Sequence, residues 1–297
     1  MLELRRLRLL RELHQRGTIA AVADALRFTP SAVSQQLGLL EREAGVPLLE
    51  RAGRGVRLTD AGLVLVQHAD ALLERAALAE ADLAAAAGTV AGRARIAGFQ
   101  SVALRIALPA IERLAREAPR LRCELVEGEP EDALPALALG DVDLVLGDEW
   151  QHQPLRLPDG VERHELFDDP VRLVVPEGHP ATEIAELADA RWATGHAGMA
   201  WDEMTRRTCR ELGGFDPDVR HRANDATVAL ALVARGLAVT LLPELPLRGA
   251  EGVELRPLPR SRRIFAATRA ADRRRPSTQA LLAAVGYSTR STALPAT

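Results

Sequence analysis

Lysine is absent from all 297 residues, so each of the 38 basic side chains is an arginine. With alanine abundant as well, that usage points to a GC-rich coding sequence more than to a physical requirement. Cysteine occurs only at Cys123 and Cys209, too few for a disulfide framework, and no charged-then-apolar leader opens the chain. No apolar run approaches the roughly 18 residues that a bilayer span requires. A reduced, cytoplasmic protein without membrane segments is expected. The two thiols are read as buried and inert, with a redox pair as the alternative.

Other absences narrow the chemistry. Neither GxxxxGK[ST] nor a strand followed by a full GxGxxG is present, which excludes the usual nucleotide loops. The seven histidines are scattered, without HExxH or another close ligand spacing, so no metal or other cofactor is expected. There is no GxSxG elbow. Ser101, His196 and Asp148 are residue types that a hydrolytic triad uses, but sequence supplies no mutual geometry, and loop serines are usually caps. An enzyme or solute binder with a DNA-binding leader stays open as a second reading.

What is present is a globular composition: 47% hydrophobic, 27% charged and 3% aromatic, hence aliphatic cores. The length exceeds one ordinary core, and two or three units are expected. Charge is divided unevenly. Residues 1–58 hold ten arginines against six acids, and the remainder holds 28 against 35, so a polyanion partner is indicated for the N-terminal end alone.

Leu4, Leu7, Leu10 and Leu13 mark an amphipathic helix that ends before Gly17. Thr18 caps a second helix with an inward stripe of Ile19, Val22, Ala23 and Leu26. Thr29 and Pro30 then start a third, threonine as cap and proline at the first helical position. It buries Val33, Leu37, Leu40 and Ala44 and turns Ser31, Ser34, Gln35, Gly38 and Arg42 outward. Short hydroxyl and amide side chains on an exposed helix suit the major groove, where they meet base edges. A merely solvated surface is the alternative. After Gly45, two short strands around a glycine turn carry Arg51, Arg54 and Arg57, placed to bind phosphates.

The segments Ala20-Ala21-Val22-Ala23-Asp24-Ala25-Leu26, Thr29-Pro30-Ser31-Ala32-Val33-Ser34-Gln35-Gln36-Leu37, Leu40-Glu41, Gly45-Val46-Pro47-Leu48, Arg51 and Leu58-Thr59-Asp60-Ala61-Gly62 together resemble the LysR-type transcriptional regulators. Leu49 departs from the family's usual phenylalanine, and Gly38 from its frequent basic residue. The resemblance implies a winged helix-turn-helix over 1–58, with DNA contacts from Thr29, Ser31, Ala32, Ser34, Gln35, Arg42, Arg51, Arg54 and Arg57.

Over 59–92 the spacing of Leu65, Ala69, Leu72, Ala76, Ala79 and Leu83 reads as a heptad seam, followed by a hinge between Gly88 and Gly92. The seam indicates a homodimer, or a helix packed on its own domain as the alternative. The resemblance favours pairing of two DNA-binding domains, with homotetramers, an interrupted inverted repeat and RNA polymerase as further implied partners.

From Arg93 onward, strands alternate with helices in an α/β pattern. Strands are predicted at 95–98, 121–127, 142–147, 171–175, 191–194, 219–221, 238–242 and 263–268. Helices are predicted at 111–117, 133–139, 201–212, 225–235 and 277–285, with a disordered tail after Ser288. The resemblance implies an effector-binding domain over 93–297, built like periplasmic binding proteins from lobe I (93–166 and 269–297) and lobe II (167–268). Its crossings fall near Phe167 and Asp168 and over 264–268. In such folds a small-molecule effector, anionic or bearing polar oxygens, lies against strand ends and helix starts. The candidate residues are Gln100, Ser101, Val102 and Asp148 from lobe I, and Thr194, His196, Asn224 and Thr227 from lobe II.

Overall fold

The computed structural model describes every residue except Arg54, Thr89, His152 and 293–297. Arg54, one of the three arginines assigned to the wing, therefore lies outside the described residues. The chain forms two units, residues 1–89 with 271–276 and residues 90–270 with 277–297.

In the first unit, α1 (Leu4–Arg16), α2 (Ile19–Leu26) and α3 (Pro30–Ala44) lead into an antiparallel hairpin of β1 (Leu49–Ala52) and β2 (Gly55–Leu58), and then α4 (Asp60–Ala87). The caps form as expected. Thr18 Oγ1 accepts the Ala21 N–H at 3.1 Å, and Thr29 Oγ1 accepts the Ala32 N–H at 3.2 Å with Pro30 opening the helix. Leu7, Leu10, Leu13, Val22, Ala23, Val33, Leu37 and Leu40 share one buried cluster with Leu48, Val66 and Ala69. Leu4, by contrast, is exposed in the first turn of α1.

The predicted seam along α4 divides into two parts. Ala69 is buried and Leu65 partly buried in the core of its own unit. Leu72, Ala79 and Leu83 are exposed. Helix α4 starts hard against the hairpin, because a Cβ at Gly62 would sit 2.3 Å from the Leu48 carbonyl oxygen. Only glycine permits that approach.

The second unit is built on a six-stranded sheet of order β4-β3-β5-β10-β6-β9. Its strands are β3 (Gly92–Gly98), β4 (Leu121–Glu127), β5 (Leu144–Trp150), β6 (Val161–Pro176), β9 (Thr240–Pro243) and β10 (Val253–Arg269). A separate parallel pair is formed by β7 (Arg191–Thr194) and β8 (Asp218–Arg222). Helix α5 (Gln100–Val102) runs through a π-turn at Ala103–Ala107 into α6 (Leu108–Glu117). Then come α7 (Pro130–Leu139), α8 (Ala200–Thr208), α9 (Ala226–Ala234) and α10 (Pro276–Thr292). The last helix continues to Thr292, so the tail expected to be disordered after Ser288 is helical up to that point; 293–297 lie outside the described residues.

The long strands β6 and β10 form an antiparallel ribbon common to both lobes. On one side β5 pairs with residues 262–267 of β10, and on the other β9 pairs with residues 171–174 of β6. The register of the ribbon shifts between Pro257 and Ser261, where Pro257, Pro259 and the facing Pro170 have no N–H to give to a ladder. Because 262–267 already pair with β5, the ribbon changes lobes ahead of Ile264 rather than over 264–268.

Lobe I encloses its sheet on both faces. Ile96, Leu144, Leu146 and Ile264 face Val102, Ile106, Leu114 and Leu281. The alternate residues Ala97, Val145, Phe265 and Ala267 pack on Leu134 and Leu137, as the period-two geometry of strands requires. Lobe II closes around Trp192, Val171, Leu173 and Leu241 on one face and Val174, Val233 and Leu242 on the other.

Candidate functional site

Two sites emerge, one in each unit. In the first, burial of Val33, Leu37 and Leu40 leaves Ser31, Ser34, Gln35 and Arg42 exposed on α3. Thr29 Oγ1 lies 3.0 Å from Ser31 Oγ, so the cap and its neighbour stand together at the amino end of the helix. Ala32 is half-buried, its N–H given to the Thr29 cap. The helix is held from two sides. Arg6 Nε donates to Gln36 Oε1 at 3.0 Å, and its guanidinium also pairs with Glu43. Glu41 Oε1 accepts the backbone N–H groups of Leu48 and Leu49 at 2.9 and 3.0 Å, tying α3 to the hairpin.

On the hairpin, Arg51 and Arg57 are exposed. Arg57 Nε is 2.7 Å from Glu50 on the facing strand, whereas Arg51 and Arg42 have no ion pair among the described residues. Gly38, half-buried on α3, has open space beside its Cα, so its departure from the family pattern is not imposed by packing. Leu49 packs partly buried against the core, which is the role an apolar ring would fill there.

The second site is a cleft of about 510 Å³ between the lobes, within the range of small-molecule pockets. Of the residues expected there, Gln100, Ser101, Asp148 and Asn224 line it. Gln100 also hydrogen-bonds Asp225 across the cleft, which helps hold that carboxyl below its ordinary range despite some burial. The other four point elsewhere. Val102 is buried in the lobe I core. Thr194 is fully buried, donating to Thr205 Oγ1 at 3.3 Å and so bracing α8. His196 contributes its backbone N–H to Asn224 Oδ1 at 3.0 Å, while its side chain is outside the lining. Thr227 is an exposed residue whose N–H is capped by Asp225 Oδ1 at 2.7 Å. Ser101, Asp148 and His196 do not form a triad, because Ser101 and Asp148 both bond to an arginine instead.

That arginine, Arg262, was not anticipated. It is 5% exposed, and its Nε and Nη2 donate to Asp169 Oδ2 at 3.0 and 2.8 Å. Nη1 donates to Asp148 Oδ2 at 3.1 Å and Nη2 to Ser101 Oγ at 3.2 Å. Its guanidinium carbon stands 5.0 Å from the Phe99 ring centroid and 5.7 Å from that of Trp150. Burial pushes both aspartyl carboxyls up, and the shared guanidinium offsets only part of that rise. Glu129, at the mouth of α7, is pushed up to about 7 by burial first and then by Asp148 and Glu131, with Arg262 opposing. Trp201 also lines the cleft, its Nε1 fixed on the Leu241 carbonyl at 2.7 Å.

A winged helix-turn-helix carried with a two-lobed cleft domain defines a DNA-binding regulator that answers to a small molecule. The chain belongs to the LysR family: the bacterial regulatory helix-turn-helix, lysR family, matches residues 4–63, and the LysR substrate binding domain matches residues 87–289. The transcriptional regulator ShiR of Corynebacterium glutamicum is 30% identical over 239 residues, covering 74% of this chain and 79% of that protein. The dual regulator GltC of Bacillus subtilis is 28% identical over 248 residues, covering 82% and 81%. A full-length OxyR variant from Pseudomonas aeruginosa superposes with a TM-score of 0.67 at 22% identity, covering 98% of this chain and 95% of that one. CbnR in complex with its target DNA gives 0.53 at 22% identity, covering 97% and 100%. Members of the family are transcription factors rather than enzymes. Among the described residues no helix is long and apolar enough to cross a membrane, and no cluster of His, Cys, Asp and Glu is grouped to hold a metal.

Proposed function

We propose that α3 enters the major groove of an interrupted inverted repeat, reading bases through Ser31, Ser34 and Gln35, while Arg42, Arg51 and Arg57 grip phosphates. The observation that carries this reading is the buttressed polar face of α3. Its inward stripe is buried, its outward face is open, and Glu41 and Arg6 fix its position against the hairpin and α1. Rigid presentation is what base readout needs. Arg54 belongs to the same assignment but lies outside the described residues.

Two copies pair through the exposed positions Leu72, Ala79 and Leu83 of α4, as a homodimer or a homotetramer, in the cytoplasm. An effector held by Gln100, Ser101, Asp148 and Asn224 biases the arrangement of the lobes, and through it the contact with RNA polymerase. Such a ligand acts only by its differential affinity for the two arrangements. Some relatives are described as hydrogen peroxide-inducible genes activators. The thiols here do not favour that role, since burial pushes Cys209 up to about 12 and Cys123 upward too, which keeps both protonated.

A gel shift of the full chain on the promoter beside its own gene tests the assignment. Arg51→Ala is expected to weaken binding to every sequence and lower the salt slope by about 1, whereas Gln35→Ala is expected to change sequence preference. If both variants bind like the wild type, the contact assignment is wrong.

A further inference from the structure

The charges around the cleft are unequal. Glu129, Glu131, Asp132 and Asp148 line it, and among the described residues the only basic side chain in the lining is Arg262. All three nitrogens of that guanidinium already donate to protein oxygens, to Asp169, Asp148 and Ser101. One positive charge is therefore shared by two buried carboxyls, which leaves the pairings around Arg262 with an excess of acid rather than a charge to offer an anion.

Placement at the start of a helix accounts for part of the acidity. Glu131 and Asp132 occupy the first turn of α7, where acids offset the exposed N–H groups and the macrodipole. Glu129 does not fit that explanation, since its side chain makes no capping bond and it lines the cleft together with Asp148. Among the described residues Glu129 has no ion pair of its own, and Asp148 shares its counter-ion with Asp169, so acids outnumber positive charges around the cleft. A positive ligand would balance them. Phe99 and Trp150 already face the Arg262 guanidinium, which leaves Trp201 as the further aromatic side chain of the lining, and aromatic rings attract cations.

We propose that the effector of this cleft is a small organic cation, an amine or guanidine with an apolar body, whose charged end sits between Glu129 and Asp148 and whose body lies against Trp201. This inference rests on the reading of the cleft as the effector site and deepens it. The expectation of an anionic effector came from helix starts alone, and the side chains around those starts oppose it.

Probes that share a phenylethyl body and differ in the polar end test the proposal on the full chain: 2-phenylethylammonium, neutral 3-phenylpropanamide and 3-phenylpropanoate. Binding is followed by tryptophan fluorescence, to which Trp150 and Trp201 contribute, and by thermal shift. The ammonium is expected to bind at least about tenfold tighter than the carboxylate, and Glu129→Gln with Glu131→Gln is expected to weaken it by about tenfold. Glu129 and Glu131 are exposed at the start of α7, so the double variant is expected to fold, and its unliganded melting curve checks that. A charge reversal, Glu129→Arg with Glu131→Arg, is expected to turn the preference toward the carboxylate, which loss of a purely structural acid would not do. If the carboxylate binds the wild type as well as or better than the ammonium, and Trp201→Ala abolishes that binding, the cation class is overturned while the cleft remains the effector site. If neither ion binds in a way that Trp201→Ala removes, both readings fall. Ammonium binding that is unchanged in the glutamine double variant also overturns the proposal.

Discussion

A single carboxylate oxygen of Glu41 holds the N–H of Leu48 at 2.9 Å and shares itself with the N–H of Leu49 at 3.0 Å. Leu49 opens β1 and Leu48 directly precedes it, so α3 and the hairpin share one anchor. Hydrogen bonds to a charged group contribute about 1.5–3 kcal/mol. Glu41→Ala is therefore expected to cost about 2–3 kcal/mol of stability in the first unit, read by urea unfolding of the full chain followed at its N-terminal unit. Glu41→Gln, which keeps an acceptor, should recover much of it. Equal loss in both variants would show that the carboxylate is not the anchor.

Gly62→Ala places a Cβ 2.3 Å from the Leu48 carbonyl oxygen, which is backbone and cannot swing aside. The strain is expected to cost at least about 1–3 kcal/mol, in the range of overpacking. Because the displaced segment leads into the hairpin, DNA affinity should fall on all sequences together. A melting temperature equal to that of the wild type would remove this account.

Removing Arg262 strands two acids. Arg262→Met leaves Asp148 and Asp169 buried without a counter-charge, a change that typically costs about 3–5 kcal/mol. Arg262→Lys keeps the charge but not the fork that serves Asp169, Asp148 and Ser101 together, so an intermediate loss is expected. Chemical denaturation of the second unit distinguishes the two. Equal stability of Arg262→Met and wild type would mean that both acids are protonated in the fold.

Glu129 gives a pH signature. Its folded value of about 7 lies above the ordinary 4.5, chiefly through desolvation, with Asp148, Glu131 and Glu127 also opposing its ionisation and Arg262 favouring it. Its contribution to stability is complete below the unfolded value and is lost as pH rises through about 7. Glu129→Gln, which cannot ionise, is expected to melt above the wild type at about pH 8 and to lose that advantage toward about pH 4. A constant difference across that span would show that Glu129 titrates normally.

Much of this was readable in the chain. Periodicity and caps placed α1 to α4, because Thr18, Thr29 and Pro30 act locally. The inner strands were readable because alternate residues such as Ile96 and Ala97 serve opposite faces of a covered sheet. The outer halves of β6 and β10 were not. Glu162-Arg163-His164-Glu165 carries charge and holds a strand because residues 265–268 of β10 pair with it, and the proline-bearing Pro257-Leu258-Pro259-Arg260 is kept in β10 by the pairs on either side, Pro257 with Arg172 and Ser261 with Pro170. The site divides likewise. Gln100, Ser101, Asp148 and Asn224 follow strand ends, a rule that locates a loop but not the direction of each side chain. Thr194 turned inward and His196 outward. Arg262 escaped notice because its partners, Ser101, Asp148 and Asp169, lie roughly ninety or more positions away along the chain.

The paired strands β6 and β10 have a mechanical consequence. Two-ply β structure resists splaying, since every ladder bond would stretch at once, but it yields to torsion about its own length. Compliance should concentrate where ladder bonds are missing, at the proline-bearing slip between Pro257 and Ser261. Arg262 clamps the ply immediately beyond that slip. A molecule that competes for its acids would therefore loosen a torsion joint, and the two halves would answer by wringing rather than by closing like a jaw.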